Sequence, residues 1–158
     1  MAKVKTNAIR ILDAKKITYE VLTYENQDGK IDGLSVAGKI GKDPKEVYKT
    51  LVAQGASKQI YVYVIPVEAE LDLKKGAKAA GEKKIEMISV KDILKWTGYI
   101  RGGCSPIGMK KEYKTFIDKS CLELEHMVVS AGKIGVQIVV EPEVLVHLTK
   151  AETPDVRK

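Results

Sequence analysis

Four glycines and a proline stand within Gly98-Tyr99-Ile100-Arg101-Gly102-Gly103-Cys104-Ser105-Pro106-Ile107-Gly108. Such a run cannot lie inside a helix, and it weakens a strand. It does allow backbone N–H groups to come close to a ligand, because glycine has no Cβ to stand in the way. A second glycine turn, Ser130-Ala131-Gly132-Lys133-Ile134-Gly135, has the same property. Between them in function, if they meet in space, stands Lys49. Its neighbours Val47, Tyr48, Leu51 and Val52 are largely apolar, which suits a partly buried cation.

Other chemistries fit less well. Gly103-x-x-x-x-Gly108 has the glycine spacing of a phosphate loop, but Met109 follows the second glycine and Lys110 is followed by Lys111. The Lys-Ser/Thr pair that reaches nucleotide phosphates and magnesium is therefore missing. No helix signature follows to aim an N-terminus at an anion. Cys104 invites a nucleophile reading, which needs a base or positive surroundings to make thiolate. Neither His126 nor His147 lies in a motif that assigns it to Cys104, so a small residue filling a loop is the simpler account. Two His and two Cys at no recognised spacing give no metal site. Glu123 and Glu125 alternate in a strand reading and suit a solvated face.

These residues must be held by elements legible in the pattern. Apolar spacing predicts an amphipathic helix over Asn7 to Lys15, a strand over Ile17 to Tyr24 and a loop over Glu25 to Gly33. Ser35 is placed as the cap of a short helix ending at Gly41. Asp43-Pro44-Lys45-Glu46 has the composition of a helix start, and that short helix leads into strands over Thr50 to Ala53 and Gln59 to Val67. Helices are predicted from Asp72 to Gly81 and from Ser89 to Gly98. Strands follow over Thr115 to Asp118, Glu125 to Ser130 and Val136 to Val140, the last two joined by the Gly132–Gly135 turn. Glu141-Pro142 opens a final short helix. The predicted class is α/β with a large antiparallel share, without the strict alternation of a doubly wound sheet.

The 158 residues suit one domain with an aliphatic core, since one Trp and one Phe are present. An apolar share of 44% argues against disorder. No apolar run is long enough to span a bilayer, no secretory signal is visible, and the cysteines show no disulfide framework. A cytoplasmic location follows as the expectation. The net charge is +6, but residues 74–119 carry eleven Lys and one Arg against five acids, a local balance of +7. A basic half around the glycine loop suits an anionic partner such as nucleic acid, while the plain alternative is that these lysines solvate helix faces.

Thr97-Gly98-Tyr99 followed by Gly102-Gly103-Cys104-Ser105-Pro106-Ile107-Gly108-Met109-Lys110-Lys111 resembles the T-G-Y-x-x-G-G-x-S-P-x-G-x-K-K signature of the YbaK family. Val47-Tyr48-Lys49-Thr50-Leu51 resembles that family's lysine motif, and Val129-Ser130-Ala131-Gly132-Lys133-Ile134-Gly135 its late S-G-G-K-x-G hairpin. Leu71-Asp72-Leu73-Lys74-Lys75 with Ala77-Lys78-Ala79, then Lys83-Lys84-Ile85-Glu86-Met87, resembles its central helix and strand. The likeness runs from about Ala8 to Leu148. It implies an α+β fold with a curved, mixed and largely antiparallel central sheet flanked by short helices.

It further implies an aminoacyl-tRNA deacylase related to the editing domain of prolyl-tRNA synthetase, clearing Cys-tRNA(Pro) and, as an extension, Cys-tRNA(Cys). No cofactor or metal is implied, and prolyl-tRNA synthetase is an implied partner. The resemblance makes Lys49 essential and places Tyr24, Gly102, Gly103 and Ser130 at the pocket, with Ser105 and Gly132 as further substrate-binding positions of the two turns. Two departures stand out: Ala131 replaces the first glycine of the hairpin pair, and Gln137 occupies a position that is often Asp. Alternatives from the same fold are clearance of another amino acid such as alanine, or a non-catalytic module that binds tRNA or synthetase. A thiol-dependent oxidoreductase using Cys104 is the reading from outside it.

Overall fold

Strand pairing, more than any single helix, decides where the glycine turns meet. The computed structural model describes residues 5–158. Its elements run α1 (Asn7–Ala14), β1 (Glu20–Thr23), α2 (Gly33–Ile40), β2 (Tyr48–Gly55), β3 (Ile60–Pro66), α3 (Leu73–Ala80), β4 (Ile85–Met87), α4 (Val90–Thr97), β5 (Lys114–Ile117), β6 (Met127–Lys133), β7 (Val136–Val140) and α5 (Pro142–Thr149). One sheet has the order β4-β2-β3-β5 and the other β1-β7-β6. All pairs are antiparallel except β3 with β5. The fold is therefore α+β with mixed sheets, as expected.

The two sheets are stitched together at one point. Val47 and Val128 form a parallel bridge, and the Val128 N–H donates to the Glu46 carbonyl at 2.9 Å. This bridge explains the clearest departure from the sequence reading. Asp43 to Glu46 makes a single turn rather than a helix, with the Glu46 N–H on the Asp43 carbonyl at 2.8 Å and the Lys45 N–H on the Asp43 carboxylate at 2.9 Å. The start signals are satisfied locally. The next residues, Val47 and Tyr48, gain more by entering the sheet, so the turn does not propagate.

Other boundaries shift for similar reasons. The first strand begins at Glu20, not Ile17, because the Ile17 N–H is still closing α1 on the Leu12 carbonyl at 3.0 Å. The cap of α2 is Asp32, which accepts the Ser35 N–H at 3.1 Å; Ser35 lies inside the helix and donates its hydroxyl back to Asp32 at 2.7 Å. Asp72 caps α3 and Pro142 opens α5 as predicted. The late hairpin runs further than its pattern, to Lys133, with a register shift between Ser130 and Lys133 that leaves Ile134-Gly135 as the turn.

Alternation divides the core. Leu12, Met127, Val129, Ile138, Val140 and Leu145 pack together between α1, α5 and one face of β6 and β7. Tyr63 stacks on Phe116 at 5.3 Å between centroids, in a second cluster that includes Ala77 of α3. A third cluster of Ala37, Val47, Val67, Val128 and Val139 lies on the opposite face of β6 and β7, under α2. That third face carries the site.

Candidate functional site

Register across three strands assembles the polar groups. Val47 and Val128 are paired in parallel, so Lys49 and Ser130, two residues further along each strand, come next on the same face. Ser130 is paired with Gln137 of β7, and Gln137 with Leu22 of β1. Lys49, Ser130 and Gln137 thus form a row on the α2 side. Beyond the bridge β2 continues into the four-stranded sheet while β6 bulges away. The parting strands leave a cleft of about 100 Å³, lined by Ile31, Val36, Lys49, Gly102, Ser130 and Gln137 among others.

Lys49 is half-buried and has no ion-pair or hydrogen-bond partner among the described residues. Burial of the ammonium lowers its pKa from the usual lysine value, and the charge of exposed Glu70 offsets this in part. No carboxylate or imidazole lines the cleft among the described residues. It is thus a small cationic recess with no general base, suited to negative or developing negative charge.

The glycine loop and the late turn do meet. A Cβ on Gly103 would lie 2.9 Å from the Ile134 nitrogen and 3.1 Å from the Lys133 carbonyl carbon, so the two backbones touch. Gly102 next to it has φ +85° and faces the cleft. The N–H groups are shared out unevenly. Gly103 donates to the Ile100 carbonyl at 3.0 Å, and Gly132 donates to Ser130 Oγ at 3.1 Å. Both glycines therefore serve packing and turn geometry, and neither offers the free donor that a glycine-lined site suggests. The Gly102 N–H has no acceptor within the protein among the described residues, and Gly102 lines the cleft.

The remaining predicted residues divide. Tyr24 lies two residues beyond Leu22, with its N–H on the Gly135 carbonyl at 3.0 Å and the Lys39 ammonium 5.8 Å from its ring centre. Its hydroxyl is buried without a partner among the described residues. Ser105 is wholly buried and accepts the Ile107 N–H at 3.2 Å, which shapes the loop; it does not line the cleft. His126 and His147 are both exposed and lie outside the cleft lining. Ile31 and Val36, which close the cleft from the α2 side, carried no signal, because a lone apolar residue before a short helix and one on it look like ordinary core.

Cys104 reaches the cleft wall, but it is only 8% exposed, and burial pushes its thiol up to about 11. Its sulfur has Thr97 Oγ1 as hydrogen-bond partner at 3.9 Å. A thiol in that setting stays protonated at neutral pH and is a poor nucleophile. Cys104→Ala is accordingly expected to keep turnover of an aminoacyl-tRNA within about threefold of wild type. A loss of two orders of magnitude in a single-turnover assay would restore the nucleophile reading.

Among the described residues no helix is long and apolar enough to cross a membrane, and no three His, Cys, Asp or Glu side chains group as metal ligands. Residues 34–148 match the family model of the aminoacyl-tRNA editing domain. The chain is 42% identical, over 96% of its length and 93% of the relative's, to EbsC of Enterococcus faecalis, a candidate Cys-tRNA(Pro)/Cys-tRNA(Cys) deacylase. It is 25% identical to YwhH of Bacillus subtilis, an uncharacterised protein, over 80% of this chain and 78% of that one. The crystal structure of a candidate trans-editing enzyme for prolyl-tRNA synthetase superposes with TM-score 0.83 at 19% identity, covering 99% of each chain. That of the hypothetical protein APE2540 superposes with TM-score 0.87 at 22% identity, covering 97% of this chain and all of the other. At these identities the superpositions speak for the fold, whereas the sequence match places the cleft within a known family: the chain belongs to the aminoacyl-tRNA editing domain family.

Proposed function

We propose that the protein is a trans-editing deacylase that removes cysteine from Cys-tRNA(Pro), acting on Cys-tRNA(Cys) as well. The observation that carries this reading is a lysine that is unpaired among the described residues, in a cleft of about 100 Å³ whose described lining holds no carboxylate or imidazole. That volume suits a small aminoacyl group. The aminoacyl ester is already activated, so orientation and charge stabilisation supply most of what is needed.

A base-free cleft fits a substrate that carries its own nucleophile. The cysteinyl thiol attacks its own carbonyl carbon, a C–S bond forms, and the C–O bond to the ribose breaks. The ribose oxygen leaves with the proton given up by the thiol, and the product is a cyclic thioester. Lys49 stabilises the negative charge that develops on oxygen, and Gly102 lines the same cleft. As a compact cation Lys49 does this without losing its proton.

The lysines of residues 74–119 supply the complementary charge for tRNA phosphates, and tRNA choice is shared with prolyl-tRNA synthetase in a ternary complex in the cytoplasm. The test is to time deacylation of Cys-tRNA(Pro) and Ala-tRNA(Pro) by the purified protein, with spontaneous hydrolysis subtracted. The expected result is faster clearance of the cysteinyl substrate. Preference for alanine would overturn the thiol route, and tRNA binding without any turnover would make the protein an adaptor.

A further inference from the structure

A second hollow lies away from the cleft and is far roomier, at about 1450 Å³. It runs between α1, α5 and the chain from Pro106 to Thr115. The loop from Gly102 to Met109 separates the two: Gly102 and Cys104 line the cleft, whereas Pro106 to Met109 line the hollow. Ile11, Ile17, Met109 and Leu148 of its wall pack on the core beneath α1 and α5. The cleft lies across β6 and β7, on the α2 side. A tRNA end held at Lys49 does not occupy this groove.

Size, floor and rim together say what it takes. Small-molecule sites hold about 300–1,000 Å³, so a groove of this volume suits a length of chain. Its floor is aliphatic, with Ile11, Ile17, Met109, Val144 and Leu148 all left partly open to water. Tyr113 is the one aromatic ring of the described lining, and its hydroxyl is tied to the Trp96 carbonyl at 2.6 Å. Four lysines, Lys15, Lys111, Lys114 and Lys150, stand on the rim against Glu112 and Glu143. Lys150 pairs with Glu112 at 3.5 Å and Lys114 with Glu152 at 3.0 Å. Lys15 and Lys111 have no acidic partner among the described residues. Glu143 lies in the first turn of α5, where the helix dipole favours it.

We infer that this groove is a docking site for an amphipathic helix of a partner protein, its apolar stripe on the floor and its acidic residues facing Lys15 and Lys111. A helix with its side chains is about 10–12 Å across and fills such a groove through residues at i, i+3, i+4 and i+7. Like-charge repulsion on the rim turns a basic helix away. A second copy of this chain fails on that ground. Its α4 presents Val90 and Leu94, each just over half exposed, but flanks them with Lys91 and Lys95. Single-stranded RNA fits poorly too, because it binds by stacking on aromatic rings and this floor is aliphatic. The inference stands apart from the deacylase reading, since binding alone reads it.

The test titrates the intact protein into three labelled helical peptides of equal length, followed by fluorescence anisotropy and by the protein's amide chemical shifts. One peptide carries a leucine stripe flanked by glutamates, and a second the same stripe flanked by lysines. In the third, glutamine replaces leucine and the glutamates stay. The leucine–glutamate peptide is expected to bind with a Kd on the order of tens of micromolar, about tenfold tighter than either of the others. Shifts should centre on Met109, Val144 and Leu148 and spare Lys49 and Ser130. Lys15→Glu combined with Lys111→Glu should weaken this binding about tenfold. Both lysines are exposed and unpaired among the described residues, so the melting temperature should stay near wild type. No saturable binding, equal binding of all three peptides, shifts centred elsewhere, or full affinity in the double variant would overturn the inference. So would a dimer of the free protein that the double variant dissolves, which assigns the groove to a second copy. Displacement of the peptide by deacylated tRNA would overturn it in favour of RNA.

Discussion

Lys49→Ala is expected to lower kcat/KM for Cys-tRNA(Pro) by about 10²–10³-fold, while the melting temperature changes little or rises. The rate loss follows from position. Among the described residues the ammonium is the cleft's one cation, and no carboxylate or imidazole lining it could substitute. The stability result follows from the same fact. Lys49 makes no ion pair or hydrogen bond with the described residues that folding would lose, and its charge is held in a partly desolvated place. A residue that helps catalysis and does nothing for stability is the signature of a functional cation.

Its pH dependence has a definite sign. Burial lowers the Lys49 pKa in the folded protein, so the charged form is lost earlier on the alkaline side than for an ordinary lysine. Enzymatic deacylation, corrected for the base-driven background, should fall as pH rises through that lowered value. In the window between it and the unfolded lysine pKa the unfolded chain binds more protons than the folded one, so the Lys49 contribution to stability rises with pH as activity falls. Lys49→Arg keeps a charge that does not titrate, and any residual activity it shows should lack this alkaline fall. Full activity in Lys49→Ala, or a flat alkaline profile in wild type, would remove Lys49 from the mechanism.

The parts of this site that sequence made legible are those written in local chemistry. The cap at Asp72, the helix start at Pro142, the strand β7 and the first glycine loop all act over a few residues, and all appear where the pattern puts them. Asp43-Pro44-Lys45-Glu46 misleads for the converse reason. Its start signals are real, but a long-range bridge from Val128 captures the chain at Glu46. The row of Lys49, Ser130 and Gln137 is likewise invisible without register, because nothing local says which residue of β6 stands beside β2. Gln137 drew notice only as a departure from a family pattern. Its place on the cleft wall is a property of the fold. The roles of Gly103 and Gly132 could not be read either: glycine signals that backbone comes close, not whether an N–H or a neighbouring chain needs the space.

That last distinction gives a second large effect. Gly103→Ala is expected to reduce kcat/KM by about 10²-fold and to lower stability by about 1–3 kcal/mol, although the side chain added is a single methyl. Gly103 does not need a left-handed conformation, so backbone strain is not the cause. The new Cβ meets main-chain atoms, the Ile134 nitrogen at 2.9 Å and the Lys133 carbon at 3.1 Å, and these cannot rotate away as a flexible side chain can. The loop and the turn must separate. Gly102 is carried on the first and Ser130 on the strand that leads into the second, so a shift of about 1 Å between them opens the cleft and misplaces the ester against Lys49. Gly102→Ala provides the contrast. Its Cβ would meet the tip of Ile31 at 2.8 Å, which can move, but the positive φ of +85° imposes strain of its own. That variant should lose stability to a similar degree and activity to a smaller one. Thermal melts and single-turnover deacylation of Cys-tRNA(Pro) on both variants decide the matter. If Gly103→Ala melts at the wild-type temperature and turns over at the wild-type rate, the contact between the two glycine turns does not set the cleft's geometry.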